Sequence, residues 1–135
     1  MRSAAPIRLI LSLVLLAGCA RFAPPPGVMP SEKTMLVTAY CSCRDCCDWE
    51  RDWLFRPVIS AGPNKGRPKR IGITASGTRA RYGTVAADTS LYPFGTIVYV
   101  KGYGYGRVED RGRDIKGDRL DLYFPTHPKA RLWGK

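Results

Sequence analysis

The chain has 135 residues, with 22 lysines and arginines against 11 acidic residues and a formal net charge of +11 at pH 7. That length supports one small domain with one modest core, which excludes a multidomain enzyme. Past the first eighteen residues no apolar stretch is long enough to cross a bilayer, which excludes a multi-spanning membrane protein.

Residues 1–18 read as an export leader: Arg2 and Arg8 form the basic start, residues 9–17 the apolar run, and small residues close it. Leu16-Ala17-Gly18-Cys19 resembles the lipobox of bacterial lipoproteins, in which Cys19 is acylated and becomes the first residue of the mature chain. Acyl chains contribute about 0.8 kcal/mol per buried CH₂, so several together hold a protein on a membrane. The mature chain is expected in the cell envelope as a lipid-anchored monomer. An exported chain meets no genome, so its positive charge points away from nucleic acid and toward wall carboxylates and anionic headgroups.

Residues 19–33, with Pro24-Pro25-Pro26-Gly27 and Pro30, are expected to form a tether, because proline fixes φ and removes backbone donors. The domain is expected over 34–135. Short apolar runs at 35–40, 84–87, 96–100, 106–110 and 119–124, broken by Gly and Pro, predict strands. Residues 56–70 form a basic Gly/Pro-rich loop, either a binding flap or a mobile segment. Only residues 126–133 look helical, with Thr126 placed to cap and Pro128 in the first turn. The expected class is mainly β, a compact barrel ending in a short helix.

Cys41, Cys43, Cys46 and Cys47 fall within seven residues. In an oxidising compartment four thiols predict two disulfides, in one of three connectivities. Zinc is the rival, although structural zinc sites usually draw their ligands from two separated pairs. A redox pair lacks the surrounding βαβ pattern. His127 is the only histidine, which argues against a Cys-His or Ser-His-Asp engine; its expected place is the start of the terminal helix. Trp49, Trp53 and Trp133 are expected in the core or in a lid.

Strand alternation puts Leu120, Leu122 and Phe124 on one face and Arg119, Asp121 and Tyr123 on the other, so Asp121 points away from the core its strand helps to build. Gly72-Ile-Thr-Ala-Ser-Gly77, Val85-Ala-Ala-Asp88, Pro93-Phe-Gly-Thr96, Gly102-Tyr-Gly-Tyr-Gly106, Glu109-Asp110, Ile115-Lys-Gly117 and Arg119-Leu-Asp-Leu-Tyr-Phe124 together resemble the 3D domain, named for three aspartates. They are also similar to the catalytic domain of membrane-bound lytic transglycosylase A. The resemblance covers about residues 35–134 and implies a six-stranded double-psi β-barrel. It further implies Asp121 as catalytic acid/base, Asp110 and Asp88 as supporting carboxylates, and Thr74, Ser76 and Gly77 lining the same groove. Tyr103 and Tyr105 are candidates for stacking on sugar, and Lys116 for contacting substrate. The chain departs from the family at the basic Arg111-Gly112-Arg113 turn and in the basic stretch before Gly72.

Cleaving a glycosidic bond needs a carboxylic acid that keeps its proton near neutral pH. A free Asp, with pKa about 3.9, does not, but partial burial and a neighbouring carboxylate push it upward. The resemblance implies that Asp121 protonates the leaving oxygen and then takes the proton of the muramic acid 6-hydroxyl, with no metal or cofactor. The expected partner is the peptidoglycan glycan strand. The alternative is a module that grips glycan without cutting it.

Overall fold

A computed structural model describes residues 22–134, so the expected leader, Cys19 and Lys135 lie outside the described residues. Runs rich in β-branched and aromatic side chains form the strands β1 (Leu36–Tyr40), β4 (Thr84–Ala87), β5 (Ile97–Val100), β6 (Gly104–Asp110) and β7 (Arg119–Tyr123), close to the expected segments. The helix α2 (His127–Trp133) comes after β7; Thr126 stands at its N-cap position but makes no side-chain cap bond. Three elements were not expected: the single turn α1 (Arg44–Cys47) inside the cysteine cluster, and β2 (Trp49–Arg51) paired antiparallel with β3 (Pro57–Ile59).

The five longer-range strands form one curled sheet in the order β1-β7-β4-β6-β5. Neighbours β1/β7 and β4/β6 run parallel, whereas β4/β7 and β5/β6 run antiparallel. The mainly β class and the short C-terminal helix are seen as expected; among the described residues this sheet has five strands, and the sixth strand of the expected double-psi β-barrel is not seen. Among the described residues, edge strands β1 and β5 do not pair with each other, and β2 and β3 form a separate two-stranded sheet that Val58 extends by a bridge to Pro68, so the larger sheet stays a half-barrel.

One face of the sheet carries Val85, Ala87, Val108, Leu120 and Leu122, all buried and packed with Tyr103; Trp133 of α2 covers this cluster. Each such aliphatic side chain contributes about 1.5–3 kcal/mol on leaving water. Strands β4 and β6 approach closely here. A Cβ on Gly106 would lie 2.6 Å from Val85 Cγ2 and 2.9 Å from the Gly83 carbonyl, so only glycine fits. The other face carries Tyr40, Ala86 and Tyr123, with Cys46 and Cys47 packed beside them.

Between β4 and β6 the register shifts: Val85 pairs with Val108, but the next residue, Ala86, pairs with Asp110. Glu109 is the extra residue of a β-bulge, which bends the strand and turns the next side chain to the other face. Its own side chain is buried, accepts from Thr84 Oγ1 at 2.6 Å, and is paired with Arg107.

Among the described residues of the segment expected as a tether, 22–33, there is no helix or strand, and residues 23–33 are exposed. Phe22, however, is buried against the domain. Its ring lies 5.5 Å from the Arg81 guanidinium and 5.0 Å from that of Arg107, within cation–π reach. Gly83 makes room for it, since a Cβ there would sit 2.5 Å from the ring.

Candidate functional site

Thr38, Asp121, Ala86 and Asp110 are Cα partners on the successive strands β1, β7, β4 and β6. Side chains paired in this way share a face. The row therefore sets two carboxylates on one side of the sheet with only the Ala86 methyl between them. Two strand spacings separate their backbones by about 10 Å in a flat sheet, and curling brings the side chains closer.

The two acids are held differently. Asp121 accepts one hydrogen bond, from Thr38 Oγ1 at 2.7 Å. Burial pushes its carboxyl above the usual range; the Thr38 bond and the Arg119 charge pull the other way, and the Asp110 charge adds to the rise. Asp110 accepts three bonds: from the Tyr40 hydroxyl at 2.9 Å, and from the backbone N–H groups of Ala75 and Arg111, both at 2.9 Å. Burial, and after it the Asp110 charge, pushes the Tyr40 phenol far upward, so it remains a donor. The pair thus combines a poorly solvated carboxyl that has one hydrogen-bond donor with a second that has three.

Both acids open into a cavity of about 610 Å³ whose floor includes Tyr40 and Ala86. That volume is in the range of about 300–1,000 Å³ common for small-ligand clefts. Its lining also includes Ile59, residues 61–64 and Lys69 from β3 and the basic loop after it, and residues 111–115 after β6. The loop is thus part of the cleft. Its backbone is tied by Ile59 N–H to Arg67 O at 2.9 Å and Gly66 N–H to Ile59 O at 2.8 Å. Trp49 also lines the cavity, with Nε1 donating to Ser42 O at 3.0 Å, whereas Trp53 is exposed.

The expected site residues divide. Asp121, Asp110 and Thr74 line the cavity. Ser76 and Gly77 do not; they close the turn after Thr74, with Gly77 N–H to Thr74 O at 3.0 Å and Ser76 N–H to Glu109 O at 3.0 Å. Asp88 is also outside the cavity. It accepts from Ser90 Oγ at 2.6 Å and Gly117 N at 3.0 Å, and the Ser90 and Gly117 bonds hold its carboxyl down at about 2. It ties two loops together. Lys116 is exposed and adds its charge near Asp88, not in the cavity. Tyr103 is in the core, donating to Tyr123 O and accepting from Gly83 N–H, both at 2.8 Å, so it has no face free for sugar. Tyr105 packs edge-on against Tyr99 on the β5/β6 hairpin, away from the cavity.

Sequence reasoning missed Thr38 and Tyr40. Their spacing on β1 was the available signal, since both lie on the face opposite Val37 and Ala39.

The four clustered cysteines are free thiols. The expected pair of disulfides is not seen: Cys41 Sγ and Cys46 Sγ stand 3.8 Å apart, and Cys41, Cys43 and Cys46 all face Nδ1 of His127. A disulfide needs sulfurs at about 2.05 Å, and here three of them converge on one point instead of pairing. His127 starts α2 as expected, but it also belongs to this cluster.

The sheet that carries both acids is built largely from the C-terminal half of the chain. Residues 83–135 match the 3D domain family. The chain is also 37% identical over 67 residues to YabE of Bacillus subtilis, a protein named as having a proposed role in shaping the cell wall. It is 36% identical over 67 residues to a cell wall-binding protein, YocH, of the same organism. Each match covers 47% of this chain, but only 16% and 23% of those relatives. The 3D resemblance read from the sequence is thereby shown for the segment that contains Asp88, Asp110 and Asp121.

Proposed function

We propose that this chain acts on peptidoglycan as a lytic transglycosylase, with Asp121 as its single acid/base. The observation that carries the reading is the half-buried, upward-shifted Asp121 carboxyl facing one cavity with the tied Asp110 carboxyl group. The 3D match and the wall-related relatives support peptidoglycan as the substrate class.

In this reading a glycan strand lies along the cavity with the MurNAc–GlcNAc β-1,4 bond over Asp121. The Asp121 carboxyl gives its proton to the bridging oxygen as the C1–O bond breaks, and positive charge grows on the MurNAc ring. Asp110, held in place by its three donors, faces that charge and stabilises it. The MurNAc 6-hydroxyl then attacks C1, and its proton passes to the Asp121 carboxylate. The products are a free GlcNAc hydroxyl and a 1,6-anhydro-MurNAc end, and the enzyme recovers its starting protonation. Lys69, Arg111 and Arg113 at the rim offer cationic partners to stem-peptide carboxylates. The lipobox-like Leu16–Cys19 segment would hold the chain in the cell envelope through acylated Cys19.

The second reading, binding without cleavage, is favoured by the relative named as cell wall-binding. Incubating the detergent-solubilised full-length chain with isolated sacculi separates the two. Cleavage predicts released fragments with 1,6-anhydro ends by mass spectrometry, and loss of at least about 10²-fold in rate in Asp121→Asn. Co-sedimentation with no fragments selects binding alone. Reducing ends carrying solvent oxygen sink the transglycosylase chemistry.

A further inference from the structure

The geometry points to a structural zinc site formed by Cys41, Cys43, Cys46 and His127. The inference stands apart from the proposed function. It also stands apart from the 3D match, because three of the four ligands precede residue 83.

The four donor atoms, three Sγ and the His127 Nδ1, all lie within 4.8 Å of one another. Zinc bonds of about 2.3 Å to sulfur and about 2.0–2.1 Å to nitrogen make a tetrahedron with edges of about 3.8 Å (S···S) and about 3.5–3.6 Å (S···N). The observed Cys41–Cys46 edge is 3.8 Å. The three edges to Nδ1 are 3.8, 3.3 and 3.5 Å, for Cys41, Cys43 and Cys46 in turn. A single imidazole nitrogen can satisfy one thiol by hydrogen bonding. Three sulfurs gathered around it are explained by a cation at their common centre.

The local chain serves this arrangement. Cys41 comes directly after β1, Cys43 stands at the N-cap of α1, and Cys46 is within its one turn, closed by Cys47 N–H to Cys43 O at 3.1 Å. The fourth ligand arrives from the far end of the chain, where Phe124 N–H to Tyr40 O at 2.8 Å delivers the start of α2 beside the end of β1. Three thiolates and one imidazole select zinc among the common divalent ions. Four protein ligands leave no open position, so the site is structural and not catalytic. Binding releases the thiol protons to solvent. Cys47 is excluded from the set, since its Sγ instead faces Cys41 O at 3.1 Å.

The site would clamp edge strand β1 to α2, and through β1 it would fix Thr38 and Tyr40, which hold the two acids. Ligands separated by more than eighty residues close a long loop, which confers most of the benefit on the folded state.

The test uses the full-length chain, reduced and freed of metal, then titrated with Co²⁺ and with Zn²⁺. The expected result is one Co²⁺ per chain with thiolate charge-transfer and tetrahedral ligand-field bands, and displacement of that Co²⁺ by Zn²⁺. Those bands should vanish in Cys43→Ser and His127→Gln and persist in Cys47→Ser. Absence of tetrahedral bands in the reduced wild type overturns the assignment, whether or not the variants fold. So does equal loss in Cys47→Ser, or a purified chain carrying two disulfides that takes up no metal once reduced.

Discussion

Asp110 faces the same cavity as Asp121 because β6 advances two residues, Val108 to Asp110, while β4 advances one, Val85 to Ala86. Without the bulge, Asp110 would point with Val108 into the apolar core. With it, Asp110 crosses to the face of Ala86, which is also the face of Asp121. The extra residue, Glu109, is accommodated by Thr84 and Arg107, so the bulge is a built feature of the sheet.

The shifted Asp121 carboxyl has a consequence for stability. Its pKa is raised on folding by burial, so between the unfolded value, near 3.8, and the higher folded value the native chain retains a proton that the unfolded chain releases. Stability therefore falls as pH rises through that window and is level above it. Asp121→Asn removes the cost while keeping an acceptor for Thr38. Urea denaturation at pH 7 should show the variant more stable than wild type, with the gain shrinking to nothing below about pH 4. A variant less stable at pH 7 would mean that the ionised carboxylate is well paired.

Asp88 should behave in the opposite sense. Its carboxyl is held at about 2 by bonds from Ser90 and Gly117, so its contribution is present above the unfolded value and is lost as pH falls toward 2. Asp88→Ala should lower Tm at pH 7, and the two proteins should converge in acid. Because Asp88 lies outside the cavity, glycan cleavage per folded molecule should be unchanged at a temperature where both are folded. A specific loss of rate in Asp88→Asn with Tm intact would return Asp88 to the site.

Much of the sheet was legible because its strands are short apolar runs punctuated by Gly and Pro, and the outward direction of Asp121 came from alternation between Leu120 and Leu122. The position of Asp110 came only from the 3D resemblance, since the same alternation applied to Val108 sends it inward and nothing local announces the bulge. Strands β2 and β3 were hidden for another reason. Trp49-Glu50-Arg51 and Pro57-Val58-Ile59 are too short to show a period, and they are strands only through pairing with each other and, for Val58, with Pro68. His127 joined the cysteines through the β1/β7 pairing, a contact between segments more than eighty residues apart that no spacing rule reveals.

The close approach of β4 and β6 predicts the effect of the smallest possible addition there. Gly106→Ala places a methyl 2.6 Å from Val85 and 2.9 Å from the Gly83 carbonyl, and the backbone contact cannot give way as a side chain would. Overpacking of this kind costs about 1–3 kcal/mol. Chemical denaturation should show that loss. A neutral result would mean that β6 can shift relative to β4, and the bulge would then be too soft to fix Asp110.

Tyr103 and Tyr105 began as equal candidates for stacking on sugar, and the structure separates them. Tyr103→Phe strips a hydroxyl that serves both the Gly83 N–H and the Tyr123 carbonyl inside the core, leaving two buried backbone groups without that partner. Each unsatisfied group costs about 1–3 kcal/mol, so the variant should be clearly destabilised. Tyr105→Ala removes an exposed ring whose partner is Tyr99, and should change stability by about 0.5 kcal/mol or less. Neither substitution reaches the cavity that holds Asp110 and Asp121, so sacculus co-sedimentation by the folded variants should equal wild type. Weakened binding by Tyr105→Ala alone would instead place a glycan contact on the β5/β6 hairpin, outside the cavity between the two acids.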